Sequence, residues 1–73
     1  MMSPEIYPQS PYRYRVLKNG PKGVEFEDFY WLSKANRSLE KHVAQGGRAA
    51  EPESDYYAVI YDRWGKVIRE SNP

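Results

Sequence analysis

Hydrophobic and polar residues alternate in two neighbouring stretches after residue 11. In residues 12–18, YRYRVLK, the two tyrosines and Val16 fall on one face and the two arginines fall on the other. Residues 24–27, VEFE, alternate in the same way, and the intervening NGPKG carries glycines and a proline that break a strand. A period of two is typical of a half-buried β-strand. The pattern therefore predicts a β-hairpin.

Charge suggests how the two strands of this hairpin pair. If Val16 faces Val24, the apolar side chains meet on one face and opposite charges meet on the other, and such cross-strand pairs stabilise a sheet. A slip of one residue would place charged side chains on the apolar face. The other pairs of the predicted register are Tyr14 with Phe26, Arg15 with Glu25, and Arg13 with Glu27.

The period changes in residues 28–47, where apolar residues recur every three or four positions. This spacing predicts a helix with one apolar stripe, and Gly46 and Gly47 are typical of a helix end. The start of the helix is open. Asp28 can cap it, or the aromatic run can continue the second strand to about residue 31, which we favour, with the helix covering about 34–45. The stripe contains Phe29, Leu32, Ala35, Leu39 and Val43.

Residues 56–70 predict a second hairpin, which follows a polar loop at 47–55. Asp62 and Gly65 stand at the first and fourth positions of the turn, as expected for a type I turn with a glycine bulge. Both faces of the first strand, residues 56–61, are apolar. We therefore expect this strand to be central in a sheet and covered on both sides.

These elements predict an α+β fold in which one helix packs on an antiparallel sheet of three to four strands, in the order hairpin, helix, hairpin. We expect a flexible tail at residues 1–11, one domain at 12–70 and a frayed end at 71–73. The tail alternatively forms an arm that uses Ile6 and Tyr7 as contacts and orders on a partner. The predicted core contains Tyr14, Val16, Phe26, Leu32, Leu39, Val59, Ile60 and Ile68.

Composition narrows the classes of function. The chain has 73 residues, no cysteine, one histidine and nearly balanced charge, with 11 Lys and Arg against 10 Asp and Glu. It lacks thiol chemistry, the ligand set of a zinc site and the strongly basic character of a dedicated nucleic-acid binder. It also lacks a long apolar run and a signal-peptide pattern. We expect a monomeric cytoplasmic protein that makes no membrane contact.

Sites for catalysis or cofactors are not indicated. His42 has no nucleophile beside it in the sequence pattern, and the carboxylates of Glu25 and Glu27 are expected to pair with arginines. The NGPKG segment lacks the spacing of a phosphate-binding loop and the helix that should follow it. We therefore predict a protein that is not an enzyme and that uses no cofactor or metal.

The tip of the second hairpin is the sharpest candidate for binding a partner. Arg63 and Trp64 occupy its two central positions, and these residue types are enriched among binding hot spots. The sequence leaves open whether Trp64 is exposed or folds back over the sheet. A second hypothesis is a nucleic-acid-binding module in which Tyr12, Arg13 and Arg15 stack bases and hold phosphates. The candidate partner-binding residues are Arg63, Trp64, Lys66, Tyr7, Arg13 and Arg15.

In size and organisation the whole chain resembles the small accessory proteins that bacteriophages use to take over host machinery. Within that class it is most similar to phage-encoded inhibitors of bacterial RNA polymerase. The resemblance implies a small rigid domain that docks on a polymerase subunit and changes its contacts with promoter, initiation factor or termination signals. An anti-CRISPR protein is the related alternative, although many of those inhibitors are acidic. It also implies that the cytoplasm is that of a bacterial host. No residue's role is carried over from the resemblance.

Overall fold

The computed structural model describes residues 7–45 and 56–71, which contain four strands and one helix. The strands form one antiparallel sheet in the order β2-β1-β3-β4, and the helix packs on one face of it. The predicted α+β fold is confirmed. The elements are β1 (Tyr14–Gly20), β2 (Gly23–Phe29), α1 (Leu32–Gln45), β3 (Tyr57–Tyr61) and β4 (Val67–Glu70).

The register predicted for the first hairpin is wrong by three residues. Val16 lies opposite Glu27 rather than Val24. The cause is the turn, because the strands continue to Gly20 and Gly23 and leave only Pro21 and Lys22 between them. Proline presets φ for the first central position of such a turn, and Gly23 has a φ of 120° that side chains rarely adopt. The same shift overturns the predicted pairs of Arg13 and Arg15 with glutamates.

A shift by an odd number of residues also reverses the faces of β2, because side chains alternate along a strand. Glu25 and Glu27 therefore lie on the face that carries α1, and Val24 and Phe26 lie on the opposite face. Phe26 was predicted in the core and is instead 38% exposed. Its ring packs under the Arg15 guanidinium, with 5.2 Å between the carbon of that group and the ring centroid.

The core lies where α1 crosses β1 and β3. The fully buried side chains of Val16 and Ile60 are neighbours across the sheet, and Tyr14, Phe29 and Val43 pack around them. Leu32 and Ile68 were also predicted in the core and are exposed, whereas Val59 is half-buried. Small side chains at the crossing let the helix approach the sheet closely. The buried core consists of Val16, Ala35, Leu39, Ala58 and Ile60.

The helix begins earlier than we favoured. The carbonyl of Trp31 accepts hydrogen bonds from the backbone N–H groups of Lys34 and Ala35. Trp31 is thus the N-cap residue, β2 ends at Phe29, and α1 starts at Leu32. The alternative in which Asp28 caps the helix is also wrong, because the Asp28 side chain binds Arg15.

β3 is central, as predicted, since it pairs with β1 on one side and β4 on the other. The expected cover on both faces is not found among residues 7–45 and 56–71. Ala58 and Ile60 are buried under α1, but the opposite face leaves Tyr57 exposed and Val59 and Tyr61 half-buried. One helix of 14 residues can shield only one face of a four-stranded sheet.

Hydrogen bonds join the segments that flank the sheet, before β1 and after β4, to neighbouring strands. The backbone N–H of Arg13 donates to the carbonyl of Phe29. Ser71, which we predicted to be frayed, donates its N–H to the Ala58 carbonyl and accepts the Ala58 N–H on its hydroxyl oxygen. At Ser71 the chain is therefore hydrogen-bonded to β3, and the frayed end stays a prediction. The predictions for residues 1–6, including Ile6, for the polar loop and its glycines at 46–55, and for 72–73 lie outside the described residues.

Replacement of Ile60 by valine should lower the free energy of unfolding by about 1 kcal/mol, because one buried methylene is lost from a closely packed site. The matched control is Ile68→Val, which removes the same group from an exposed side chain and should change stability by less than about 0.5 kcal/mol. Urea unfolding followed by circular dichroism measures both. Equal effects of the two changes would contradict the position of the core.

Candidate functional site: an aromatic tip and a basic groove

Exposed aromatic side chains collect at one end of the sheet. Because β1 is antiparallel to both β2 and β3, the chain leaves β2 and β3 at the same end. The segment after β2 carries Tyr30 and Trp31, and the turn after β3 carries Trp64. The ends of β2 and β3 are two strand positions apart, which corresponds to about 10 Å across the sheet.

The β3–β4 turn is held in one conformation by Asp62. Its carboxylate oxygen Oδ1 accepts the backbone N–H groups of Trp64 and Lys66, each at 2.8 Å. The backbone of Asp62 adds two bonds, from Gly65 N–H to its carbonyl at 3.0 Å and from its own N–H to the Lys66 carbonyl at 2.9 Å. Gly65 has a φ of 82°, as the predicted glycine bulge requires. The predicted turn is confirmed.

Trp64 projects from this turn and is 73% exposed, which answers the question that the sequence left open. The guanidinium carbon of the neighbouring Arg63 lies 5.3 Å from the centroid of the Trp64 ring. Lys66 closes the turn and is exposed. The structure thus brings together three of the residues predicted to bind a partner, and we call Arg63, Trp64 and Lys66 the tip surface.

Arg13 lies at the same end of the sheet, with its guanidinium carbon 5.2 Å from the centroid of the Tyr30 ring. Tyr30 in turn meets Trp31 edge to face at 4.8 Å between ring centroids. Trp31 is 61% exposed and was missed as a candidate, because aromatic enrichment favoured a continued strand. The sequence did contain a signal for this candidate, because Trp31 stands three residues before Lys34, which lies on the charged side of α1.

Arg15 is held by Asp28 rather than offered to a partner. The guanidinium donates through Nε to Oδ1 at 2.6 Å and through Nη2 to Oδ2 at 2.9 Å, and the two side chains are only 12% and 14% exposed. Partial burial by itself raises the pKa of Asp28. The hydrogen bond from Arg15, a backbone N–H from Gln9 and the charge of Arg15 together outweigh it and hold the pKa below 3.8. Tyr7, two residues before Gln9, is 50% exposed.

A groove of about 630 Å³ lies between α1 and β2, on the face of the sheet that the helix covers only in part. Five Lys or Arg side chains line it, against the two carboxylates Glu25 and Glu27. Glu27 accepts hydrogen bonds from Lys18 and Ser38, so part of its charge is matched locally. The groove is therefore a positively charged surface. Its cationic residues are Lys18, Lys22, Lys34, Arg37 and Lys41.

The far end of this groove is closed by His42. The Nε2 atom of its ring lies 2.7 Å from the carbonyl oxygen of Asn19, and the ring packs against Tyr56 at 5.3 Å between centroids. His42 therefore joins the helix to the sheet.

Among the described residues no three His, Asp or Glu side chains are grouped so that they could hold a metal ion. The helix within the described ranges is too short and too polar to cross a membrane.

Comparison of this chain with protein-family models, with curated proteins and with solved structures found no match. The class of this protein is therefore described by its fold and its exposed surfaces alone. It is a small α+β domain with an aromatic and cationic end and a basic groove beside its helix.

Asp28→Asn should lower stability at neutral pH by about 1–3 kcal/mol, because Arg15 loses a charged partner in a partly buried site. Since the pKa of Asp28 is depressed in the folded protein, the contribution of this carboxylate is present above its ordinary pKa and is lost as the pH falls through the folded value. The difference between wild type and Asp28→Asn should shrink below about pH 4. Urea midpoints from pH 7 to pH 2.5 measure it, with exposed Glu70→Gln as the control. A constant difference across this range would contradict the paired carboxylate.

Proposed function

We propose that this chain is a non-enzymatic protein-binding regulator, a phage inhibitor of bacterial RNA polymerase that docks through the tip surface. The observation that carries the proposal is Trp64, which is 73% exposed on a turn whose backbone Asp62 fixes. An indole in water is an unfavourable exposed surface, and its burial in a partner's pocket releases that cost. The turn itself needs only Asp62 and Gly65, so it does not require an aromatic residue at position 64.

The rigidity of the turn supports binding. Association costs free energy when loops and side chains must become ordered, and a backbone that is already fixed avoids much of that cost. Arg63 stacks beside the indole and adds a planar donor group for a carboxylate or a carbonyl. Trp and Arg are the residue types most enriched among binding hot spots, which form in well-packed, desolvated pockets. The tip surface offers both types on one short turn.

The proposed class of partner comes from the resemblance of the chain, in size and organisation, to phage polymerase inhibitors. A polymerase subunit with a pocket for the indole and carboxylates near Arg63 and Lys66 would fit this surface. A docked domain would then block or shift the contacts of polymerase with promoter, initiation factor or termination signals. Tyr7 and Arg13 extend the proposed contact, since both are exposed. Arg15 stays a prediction in this set, and its pairing with Asp28 leaves it less available to a partner.

Trp64→Ala should weaken binding to purified bacterial RNA polymerase by about 30-fold or more, which corresponds to a loss of about 2 kcal/mol at a hot spot. Arg63→Ala should cost less, because it removes the stacked partner and leaves the indole. Stability should change by no more than about 0.5 kcal/mol in either variant, because both side chains are exposed. Binding is measured by biolayer interferometry with immobilised polymerase and unfolding by urea titration.

Tyr57→Ala is the matched control, since it removes an exposed aromatic side chain from the sheet face rather than from the turn. It should leave the affinity within about two-fold, since fewer than a third of interface residues carry most binding energy and Tyr57 lies outside the proposed contact. A pull-down from bacterial lysate, with nuclease and moderate salt in the wash, checks the partner. Polymerase that is absent from the wild-type eluate, or retained equally by Trp64→Ala, would reject the proposal.

A further inference from the structure

A row of side chains runs along the side of α1 that faces β2. It contains Lys34, Ser38, Lys41 and Gln45, with spacings of four, three and four residues, and the N-cap residue Trp31 stands three positions before Lys34. Positions with these spacings lie on one side of a helix, and the four residues of the row line the groove. From Lys34 to Lys41 the helix rises by about 10 Å.

The cations of this row are exposed and form no ion pair with the part of the chain that the structure describes. Arg37 lies next to the row and also lines the groove. Lys34, Arg37 and Lys41 are all exposed, and within residues 7–45 and 56–71 none of them forms an ion pair. Among the described residues, Lys18 is the groove cation that forms an ion pair, with Glu27.

The start of α1 departs from two local rules at this place. The N-cap position prefers Ser, Thr, Asp or Asn, whose side chains satisfy free N–H groups, yet it holds Trp31. The first turn prefers acidic residues because of the helix dipole, yet it holds Lys34 and no acidic residue. Both departures oppose helix stability, and together they put an exposed aromatic residue three positions before the first cation of the groove. Such departures are expected at functional sites.

We propose that the groove between α1 and β2 binds single-stranded nucleic acid, with phosphates along Lys34, Arg37 and Lys41 and a base stacked on Trp31. A cationic channel that follows the backbone, with aromatic side chains for the bases, is the usual arrangement of single-strand binding sites. The length of the row suits a short site of about four nucleotides, the lower end of the range for such sites. This site shares no residue with the tip surface and does not depend on the proposed polymerase contact.

An acidic protein segment is the alternative ligand for the groove, and the exposed aromatic residues favour nucleic acid over it. A carboxylate chain would satisfy the cations but would leave the Trp31 ring, 61% exposed, without a planar group to cover it. A base has a π-face and covers that ring. Tyr30 contacts Trp31 edge to face and so helps to hold its ring in place. Glu25 stands on the β2 side of the groove and favours a ligand that follows the helix side.

The first test measures fluorescence anisotropy of labelled oligothymidine and oligouridine strands of about 12 nucleotides, which covers the expected site. The full chain should bind both at low salt. The logarithm of the binding constant should fall with the logarithm of salt concentration with a slope of about −2, as expected for about three phosphate contacts on a single strand. A preference for uridine would identify RNA as the ligand, and a preference for thymidine would identify DNA.

Two variants that each remove two positive charges localise the site. Arg37→Gln with Lys41→Gln should reduce the magnitude of the salt slope by about 1.4, because two phosphate contacts are lost. The matched control, Arg63→Gln with Lys66→Gln, removes the same charge from the tip surface and should leave the slope unchanged. Equal slopes in the two double variants would overturn the proposal, because binding would then follow net charge alone.

Trp31→Asn tests the stacked base without a risk to folding, since asparagine is a preferred N-cap residue. The variant should be at least as stable as wild type in urea and should bind the oligonucleotides about five-fold or more weakly. In a Trp64→Phe background Trp31 is the sole tryptophan, and its fluorescence should be quenched by the oligonucleotide.

Absence of binding at about 50 mM salt, where such contacts are strong, would overturn the proposal. So would unchanged Trp31 fluorescence in the complex. A polyglutamate peptide of equal charge that binds as tightly as the oligonucleotide and depends on Arg37 and Lys41 would assign the groove to acidic proteins instead. None of these outcomes involves polymerase, so they leave the tip surface to be judged by its own test.

Discussion

The register of β1 on β2 is the constraint on which the other surfaces depend. It is fixed at one end by the two-residue turn of Pro21 and Lys22 and at the other by the paired hydrogen bonds of Arg15 and Asp28. A bidentate pair of this kind defines geometry as well as energy. Because side chains alternate along a strand, this register decides which residues of β2 face the helix. It places Glu27 inside the groove, where that carboxylate can meet Lys18 and Ser38.

The position of α1 follows from small side chains at its contact with the sheet. Ala35 and Ala58 are fully buried where the helix crosses β1 and β3, and Leu39 fills the space beside them. A helix of this length covers two central strands and leaves the inner face of β2 partly open. The groove is therefore a consequence of packing, and the charges along it come from the side of α1 that the core does not use. The same crossing leaves the far face of the sheet without a helix among the described residues.

The element types and the second turn could be predicted because their signals are local. Alternation identifies strands, and Asp62 with Gly65 encodes one turn geometry. The register of the first hairpin could not be predicted, because its strands can bring complementary charges together in more than one alignment. The competition between Glu25 and Asp28 as partners of Arg15 is decided by a turn of two residues. The exposure of Trp64 and the capping position of Trp31 both depend on where the chain turns relative to the sheet, which periodicity does not report.

The order β2-β1-β3-β4 leaves β2 at an edge of the sheet, with backbone groups that another extended chain could join. Charged side chains along an edge strand oppose such strand addition, and β2 carries Glu25, Glu27 and Asp28 in a stretch of seven residues. Glu25 and Glu27, which reduce the positive charge of the groove, thus also oppose aggregation through this edge of the sheet. A change that removes them to strengthen anion binding would expose an edge whose remaining residues include Val24 and Phe26.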